Sequence, residues 1–554
     1  MARAGPLRLL LLVWVAIVSA LPMLRLGLEG VVPSLPGAPP DLAAIVFSDP
    51  RVWRALRRTL VVAALGTALS AAIGVAAAVA LGLFALPGRR LFAFLFVLPM
   101  LIPPQIAALS WIGALGPSSA LLNALGLAPP LGTPHPLYSP GGIAALLGVQ
   151  HAPLVFLPLM AALRRVPAGL VEAARLAGAS HPTVLRTIVL PLVTPPLAGS
   201  VALAFVAAIG NFGIPALLGI PAGYTVLTVL IWQRLAGLGP SGLSEAALVS
   251  LLLAALAAAA LWAEARAQAR GKRFIASGAA ASTRLDPGPW RLPMLALLSA
   301  YLATVLALPL ASLVSTALVP AAGVQLSATT ATLRHFEAVL FVQQNTITAF
   351  RNSLALAASA ALILVAVALA ATRVRLPHAA RVMVELPYAL PGVCVAVACI
   401  LVYLRPLPLF GVSLYGSLWL ILIAYLARFQ ALALKPVAGA AARLDPGLEE
   451  AARLAGAGPL RRLLTIALPL LAPAAAAAAI LVALTALNEI TLSILLYASG
   501  SQTLGVIVFG LNDGGAVGQA AAVSIVSLVL VLVLMGLASL VARRLPPGTL
   551  PWSA

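Results

Sequence analysis

The sequence predicts an all-α, polytopic membrane protein of about twelve transmembrane helices, arranged as two tandem halves of six. Three observations carry the prediction. First, 62% of the 554 residues are hydrophobic and only 9% are charged, where a soluble domain carries about 25% charged residues. No soluble fold of this length can hide that much apolar surface, so lipid is the solvent for most of the chain. Second, runs such as Leu60 to Phe84 and Ala521 to Val541 are almost continuously apolar. In lipid only helices and closed barrels satisfy every backbone polar group, and barrel strands are segments of about ten residues that alternate in polarity. Third, one motif occurs twice, at a spacing close to half the chain length.

In the first half, six runs are long enough to cross about 30 Å of hydrocarbon at about 1.5 Å per residue. They are 7–26, 60–84, 91–113, 142–163, 195–217 and 244–264. Residues 1–24 have features of a signal peptide, since Arg3 and Arg8 precede an apolar core and Val18-Ser19-Ala20 offers a cleavage site. An uncleaved first span is the better reading, because 292–318 opens the second half in the same way. The second half continues with 353–372, 380–404, 413–434, 472–497 and 517–541.

Between the halves, Glu264 to Arg291 is polar, basic and rich in Gly, Ala and Ser, with Arg266, Arg270, Lys272, Arg273 and Arg284. It reads as a cytoplasmic linker, 265–291, joining a first half of 1–264 to a second of 292–554. An even number of spans before it makes the halves parallel repeats about an axis along the membrane normal.

The formal charge of +20 raises the question of nucleic acid, but in a membrane protein Lys and Arg mark the cytoplasmic loops. With a cytoplasmic N-terminus, most of the 34 Lys and Arg residues fall inside, so both termini are expected in the cytoplasm. The exception is Arg51, Arg54, Arg57 and Arg58, expected as an amphipathic segment on the outer surface. Cys394 and Cys399 lie five apart and face different sides of a helix, as packing residues do.

The repeated motif is the most informative feature. Glu172-Ala173-Ala174, Gly178, Ile188, Leu190 and Pro191 recur as Glu450-Ala451-Ala452, Gly456, Ile466, Leu468 and Pro469, each pair 278 positions apart. A constant offset over the whole motif points to duplication of a six-span unit. The residues suit a docking element. Glu-Ala-Ala followed by Arg-Leu-Ala forms a good helix with a small-residue face. Gly178 and Gly456 can take the left-handed conformation that ends it, and a second helix rich in Leu and Arg leads to Pro191 or Pro469, where the next span is expected to begin. The alternative is a plain connector whose Arg-rich helices rest on lipid headgroups.

The motif resembles the cytoplasmic signature of the inner-membrane components of binding-protein-dependent ABC importers, and both copies match it at every position. That resemblance implies a type I importer permease fold in each half, with coupling hairpins at 164–191 and 435–469. In the family the hairpin docks in a groove of the ATPase, so the resemblance assigns ATPase coupling to the motif residues named above. It further implies two copies of a cytoplasmic ABC ATPase, an extracytoplasmic solute-binding protein and residence in a bacterial inner membrane. No Gly-x-x-x-x-Gly-Lys-Ser/Thr phosphate loop occurs in the chain. ATP and Mg are therefore expected on the partner, with no cofactor, nucleic acid, catalytic residue or metal site on this chain. His135, His151, His181, His335 and His378 lack any ligand spacing.

Candidate pathway residues come from interruptions in the apolar runs. The third span opens Leu98-Pro99 and Ile102-Pro103-Pro104, and the ninth opens Leu386-Pro387 and Leu390-Pro391-Gly392. Such prolines are tolerated where a cavity or neighbour restores the lost hydrogen bonds, so Pro103 and Pro391 mark either pathway helices or packing kinks. Asn488-Glu489 lies in the eleventh apolar run where the first half has Asn211. A carboxylate near the middle of a span costs about 2.5 to 3.5 kcal/mol unless it faces a cavity or a partner. Glu489 is therefore a candidate gate with Asn211 its counterpart, the alternative being an interhelical contact.

Segments such as Asn211 to Leu218 and Leu492 to Tyr497 are most similar to the ferric iron branch of the family, which makes ferric iron the expected cargo. Thiamine, polyamine and phosphonate importers are the relatives that compete for that reading. An ion-coupled secondary transporter is the rival from another class, and it leaves the paired hairpins unexplained.

Overall fold

The computed structural model describes residues 5–32, 39–130, 132–164, 166–237, 241–271, 285–406 and 411–542. Lys272, Arg273 and Arg284 of the expected linker, and Arg3, lie outside the described residues, and the helix Gly242–Gly271 extends into the segment read as linker. Among the described residues eleven helices are long and apolar enough to cross a membrane, and they are twelve if the bent pair His378–Ala389 and Gly392–Tyr403, which meet at 116°, counts as one span.

The chain folds into two compact units that do not follow the tandem halves. One gathers Met1–Val46, Ile231–Leu251 and Phe336–Ala554. There the first span, Gly5–Gly30, packs on second-half helices: Tyr403 Oη donates to the Ile17 carbonyl at 2.9 Å, and Gln430 Nε2 donates to Ser19 Oγ. The other unit gathers Phe47–Leu230 and Leu252–His335. There the span Gly288–Leu318 packs on first-half helices, with Tyr301 stacked on Phe96 at 5.4 Å. Each unit thus takes its opening span from the other half of the duplication.

Several spans differ from the apolar runs, each for a local reason. The second span is Pro50–Leu83 and starts ten residues early, because Asp49 caps it by accepting the Arg51 N–H at 2.8 Å and Pro50 fits its first position. Arg51, Arg54, Arg57 and Arg58 therefore occupy the first turns of the span itself, in place of a separate surface segment. Arg58 donates to the Gly223 carbonyl at 2.8 Å and lies over the Tyr224 ring at 4.6 Å.

The third span is broken into Arg89–Leu101 and Pro104–Leu115, since Pro103 and Pro104 lack N–H groups and drive Ile102 to extended backbone. The fifth ends at Gly210 and is followed by a separate short helix, Gly213–Gly219. Its counterpart Leu464–Leu487 is followed by Ser493–Leu496.

Pro191 and Pro469 do not start new helices. They lie inside continuous ones, Pro182–Gly210 and Leu464–Leu487, each two residues beyond a π-turn at Leu185–Val189 or Leu463–Ala467. A proline mid-helix clashes with the carbonyl four residues back, and the wider π-turn moves that carbonyl aside. Pro22 and Pro309 follow the π-turns Ala16–Ala20 and Ala303–Ala307 in the same way.

Candidate functional site

The two motif copies fold alike. The helices Ala168–Leu176 and Pro446–Leu454 keep the 278-residue register of the sequence. Gly178 and Gly456 end them at φ +82° and +78°. Around each glycine two backbone bonds close a Schellman turn: Ala179 N–H to Ala174 O and Gly178 N–H to Arg175 O, both 3.0 Å, and in the second copy Ala457 to Ala452 at 2.9 Å and Gly456 to Arg453 at 3.0 Å. A Cβ on either glycine would meet open space, so the left-handed backbone, not crowding, demands the residue type.

Exposure repeats as well. Glu172, Ala173, Glu450 and Ala451 are exposed, Ala174 and Ala452 are half-buried, Ile188 and Ile466 are half-buried, and Leu190, Pro191, Leu468 and Pro469 are exposed on the continuing helix. Most informative are two leucines per copy: Leu176 and Leu454 are 90% and 89% exposed, and Leu170 and Leu448 are 48% and 47% exposed. A single exposed leucine is ordinary, but the same two exposures at equivalent positions of both copies, six residues apart and so on different sides of each helix, are a repeated surface feature.

The anchoring of the two helices differs. Val171, Val184 and Val189 are buried in a cluster with Leu86, Phe96 and Val97, so the first hairpin rests on apolar contacts. Where Val171 stands in the first copy the second has Glu449, which forms an ion pair with Arg373 at the end of the span Gln344–Ala371.

The pathway candidates lie at the helix breaks. In one unit Asn211 is buried and its Oδ1 accepts the Ile214 N–H at 3.1 Å, in the first turn of Gly213–Gly219, while Thr228 Oγ1 donates to the Asn211 carbonyl at 3.0 Å. This break lies against the one at Pro103: a Cβ on Gly213 would be 3.1 Å from the Gln105 nitrogen. Across it Gln150 Nε2 donates at 2.9 Å to the Ile102 carbonyl, which the proline break leaves without a helical partner.

In the other unit Glu489 Oε1 accepts the Leu492 N–H at 3.0 Å. Asn488 is the C-cap of the preceding helix. Tyr425 Oη and Ser493 Oγ are 2.7 Å apart, and both lie within reach of the Glu489 carbonyl, at 3.4 and 3.3 Å. Arg428 Nη1 donates at 2.7 Å to the Leu390 carbonyl, beside the break at Pro391, and Arg428 Nε stands 3.9 Å from Glu489 Oε2. Pro103 and Pro391 are themselves buried. Neither Gln150 nor Arg428 stands out alone in the sequence. The 278-residue offset that pairs the motif copies also pairs these two as isolated polar residues in apolar helices, and that is the signal by which they can be found.

The family described as "Binding-protein-dependent transport system inner membrane component" matches residues 1–268 and 362–546. The ABC transporter permease protein y4fN of Sinorhizobium fredii is 30% identical over 543 residues, 93% of this chain and 91% of that protein. A 2-aminoethylphosphonate transport system permease protein of Salmonella paratyphi A is 34% identical over 160 residues, covering 29% of this chain and 59% of that protein. A ferric transport system permease protein of Haemophilus influenzae is 29% identical over 157 residues, covering 28% of this chain and 24% of that protein.

Proposed function

The chain belongs to the family of binding-protein-dependent transport system inner membrane components, and is thus the permease subunit of an ABC importer; from that premise we propose that it alone forms the membrane path, with one ATPase docked on each of its two hairpins. The observation that carries this reading is the repeated exposure of Leu176 and Leu454, and to a lesser degree of Leu170 and Leu448, at equivalent positions of the two hairpins. A leucine left about nine-tenths exposed beside a rigid glycine turn is suited to an apolar groove on a partner. On this reading the hairpins and both termini face the cytoplasm of a bacterial cell. ATP and Mg are held by the partner, and an extracytoplasmic binding protein delivers the solute.

The tandem duplication supports a single chain doing the work of two subunits, since each half supplies one hairpin and one set of helix breaks. Glu489 and Asn211 sit at the breaks of the fifth spans, where a rigid-body shift of the hairpins would first change helix contacts. Their bonds to the Ile214 and Leu492 N–H groups support a role in shaping the pathway more than one in binding cargo.

For cargo we favour ferric iron. The segments around Asn211 to Leu218 and Leu492 to Tyr497 favour it, together with the ferric permease among the relatives. A phosphonate is the second reading, because the 2-aminoethylphosphonate permeases match at higher identity over a similar length. Proteoliposomes containing this chain with its ATPase and binding protein test both. ATP-dependent uptake of ferric ion, blocked by Gly178→Asp combined with Gly456→Asp, is the expected result. Uptake of 2-aminoethylphosphonate in its place would move the cargo to the second reading, and uptake driven by an ion gradient without ATP would overturn the coupling.

A further inference from the structure

Gln150 and Arg428, and Asn211 and Glu489, occupy equivalent places in the duplication and make equivalent bonds. Each first-named position donates to the carbonyl ahead of a proline break, Ile102 or Leu390, at 2.9 and 2.7 Å. Each second-named position accepts the backbone N–H three residues on, at 3.1 and 3.0 Å. Neutral amides do both jobs in the first half, so closing these breaks does not require charge. The second half nonetheless carries a guanidinium and a carboxylate, with side chains only 20% and 11% exposed. Burying such a pair costs desolvation that its attraction rarely exceeds, so the charges do not serve to stabilise the fold.

The geometry suggests what they serve. At 3.9 Å, Arg428 Nε and Glu489 Oε2 are too far apart for a hydrogen bond and attract as charges. They can part without either losing its backbone partner. They also stand on, or just past the end of, the two helices that the second hairpin joins. Arg428 is on Leu418–Ala441, which leads into the hairpin helix Pro446–Leu454. Glu489 lies two residues beyond the far end of Leu464–Leu487, which leaves the hairpin and is about 36 Å long at about 1.5 Å per residue. Any displacement of the hairpin that slides these helices past one another changes the separation of this pair.

We propose that Arg428 and Glu489 form an electrostatic clamp on the two helices flanking the second hairpin, which movement of that hairpin must part during transport. Arg428 is a positioning residue that acts through Glu489. The inference rests on the ATPase coupling proposed above. The test replaces the charged pair by the first half's chemistry, Arg428→Gln with Glu489→Asn, in the complex of this chain with its ATPase in lipid vesicles. Two quantities are read: the thermal midpoint of the purified complex, and ATP hydrolysis in the absence of binding protein.

The clamp predicts an unchanged midpoint, because every backbone partner keeps a donor or acceptor, and ATP hydrolysis raised about tenfold as the hairpin moves unopposed. Unchanged hydrolysis would overturn it, and so would a lowered midpoint or a complex that no longer assembles, either of which would make the pair structural. Failure of the coupling proposal shows separately, as a wild-type chain that forms no complex with the ATPase.

Discussion

Glu489 and Asn211 make the same bond at equivalent places: each side-chain oxygen accepts the N–H three residues ahead, Leu492 at 3.0 Å and Ile214 at 3.1 Å. Asn211 is the C-cap of its long helix and Glu489 follows Asn488, the C-cap of the other; each accepts a backbone N–H at the entry to the short helix that follows, and that N–H is the partner that lets a carboxylate sit there. Replacing Asn211 by Ala leaves the buried Ile214 N–H without its acceptor and is expected to destabilise the unit by about 1 kcal/mol. A thermal shift of the purified permease in detergent checks this, and an unchanged midpoint would mean that the bond contributes nothing.

Gln150→Leu has a larger expected effect. The Ile102 carbonyl loses its 2.9 Å donor inside an apolar helix pair, and an unsatisfied buried acceptor costs about 1 to 3 kcal/mol. Gln150→Glu removes the donor in the same way, so both variants should lower the thermal midpoint, whereas Gln150→Lys, which keeps a donor, should restore part of the loss.

Gly178 and Gly456, at φ +82° and +78°, should tolerate Asn better than Ala or Val. A residue with a Cβ costs about 1 to 2 kcal/mol in that conformation, and Asn pays less of it. ATP-dependent uptake should follow the order Gly, Asn, Ala, Val at both positions. Equal activity for Val and Gly would show that the turn need not hold.

The different anchors of the two hairpins predict different responses to salt. The Arg373–Glu449 pair is partly exposed, with side chains 24% and 41% accessible, and such a pair is worth at most about 1 kcal/mol and is screened by ions. Raising ionic strength should therefore increase amide exchange in Pro446–Leu454 more than in Ala168–Leu176, whose Val171 anchor is apolar. Val171→Ala should reverse the order. Equal exchange at all salt concentrations would contradict the assignment of anchors.

Much of this organisation is legible in the residues. Apolar runs locate the spans, and the 278-residue repeat locates the hairpins, because glycine in a left-handed turn leaves a plain mark. Other features depend on what packs beside a helix. Pro191 and Pro469 look like helix starts, yet the π-turns before them let one helix continue from hairpin to membrane. The early start of the second span was readable in Asp49-Pro50, but the charge of Arg51 to Arg58 outweighs that signal in a hydropathy reading. The exchange of opening spans between the two units leaves no trace in the sequence, since Gly5–Gly30 would be equally apolar against either set of partners. The 278-residue offset can pick out Arg428, but its partners Leu390 and Glu489 depend on how the helices pack.

The central claim is that the paired leucines meet an ATPase from the cytoplasmic side. Leu176→Cys and Leu454→Cys test it most directly, because the native Cys394 and Cys399 are buried and free and add little background. In inverted membrane vesicles that carry the ATPase, both introduced thiols should crosslink to it, and both should be shielded from a membrane-impermeant maleimide until it is removed. Crosslinks from neither position, or labelling only from the outer face of intact cells, would contradict the account.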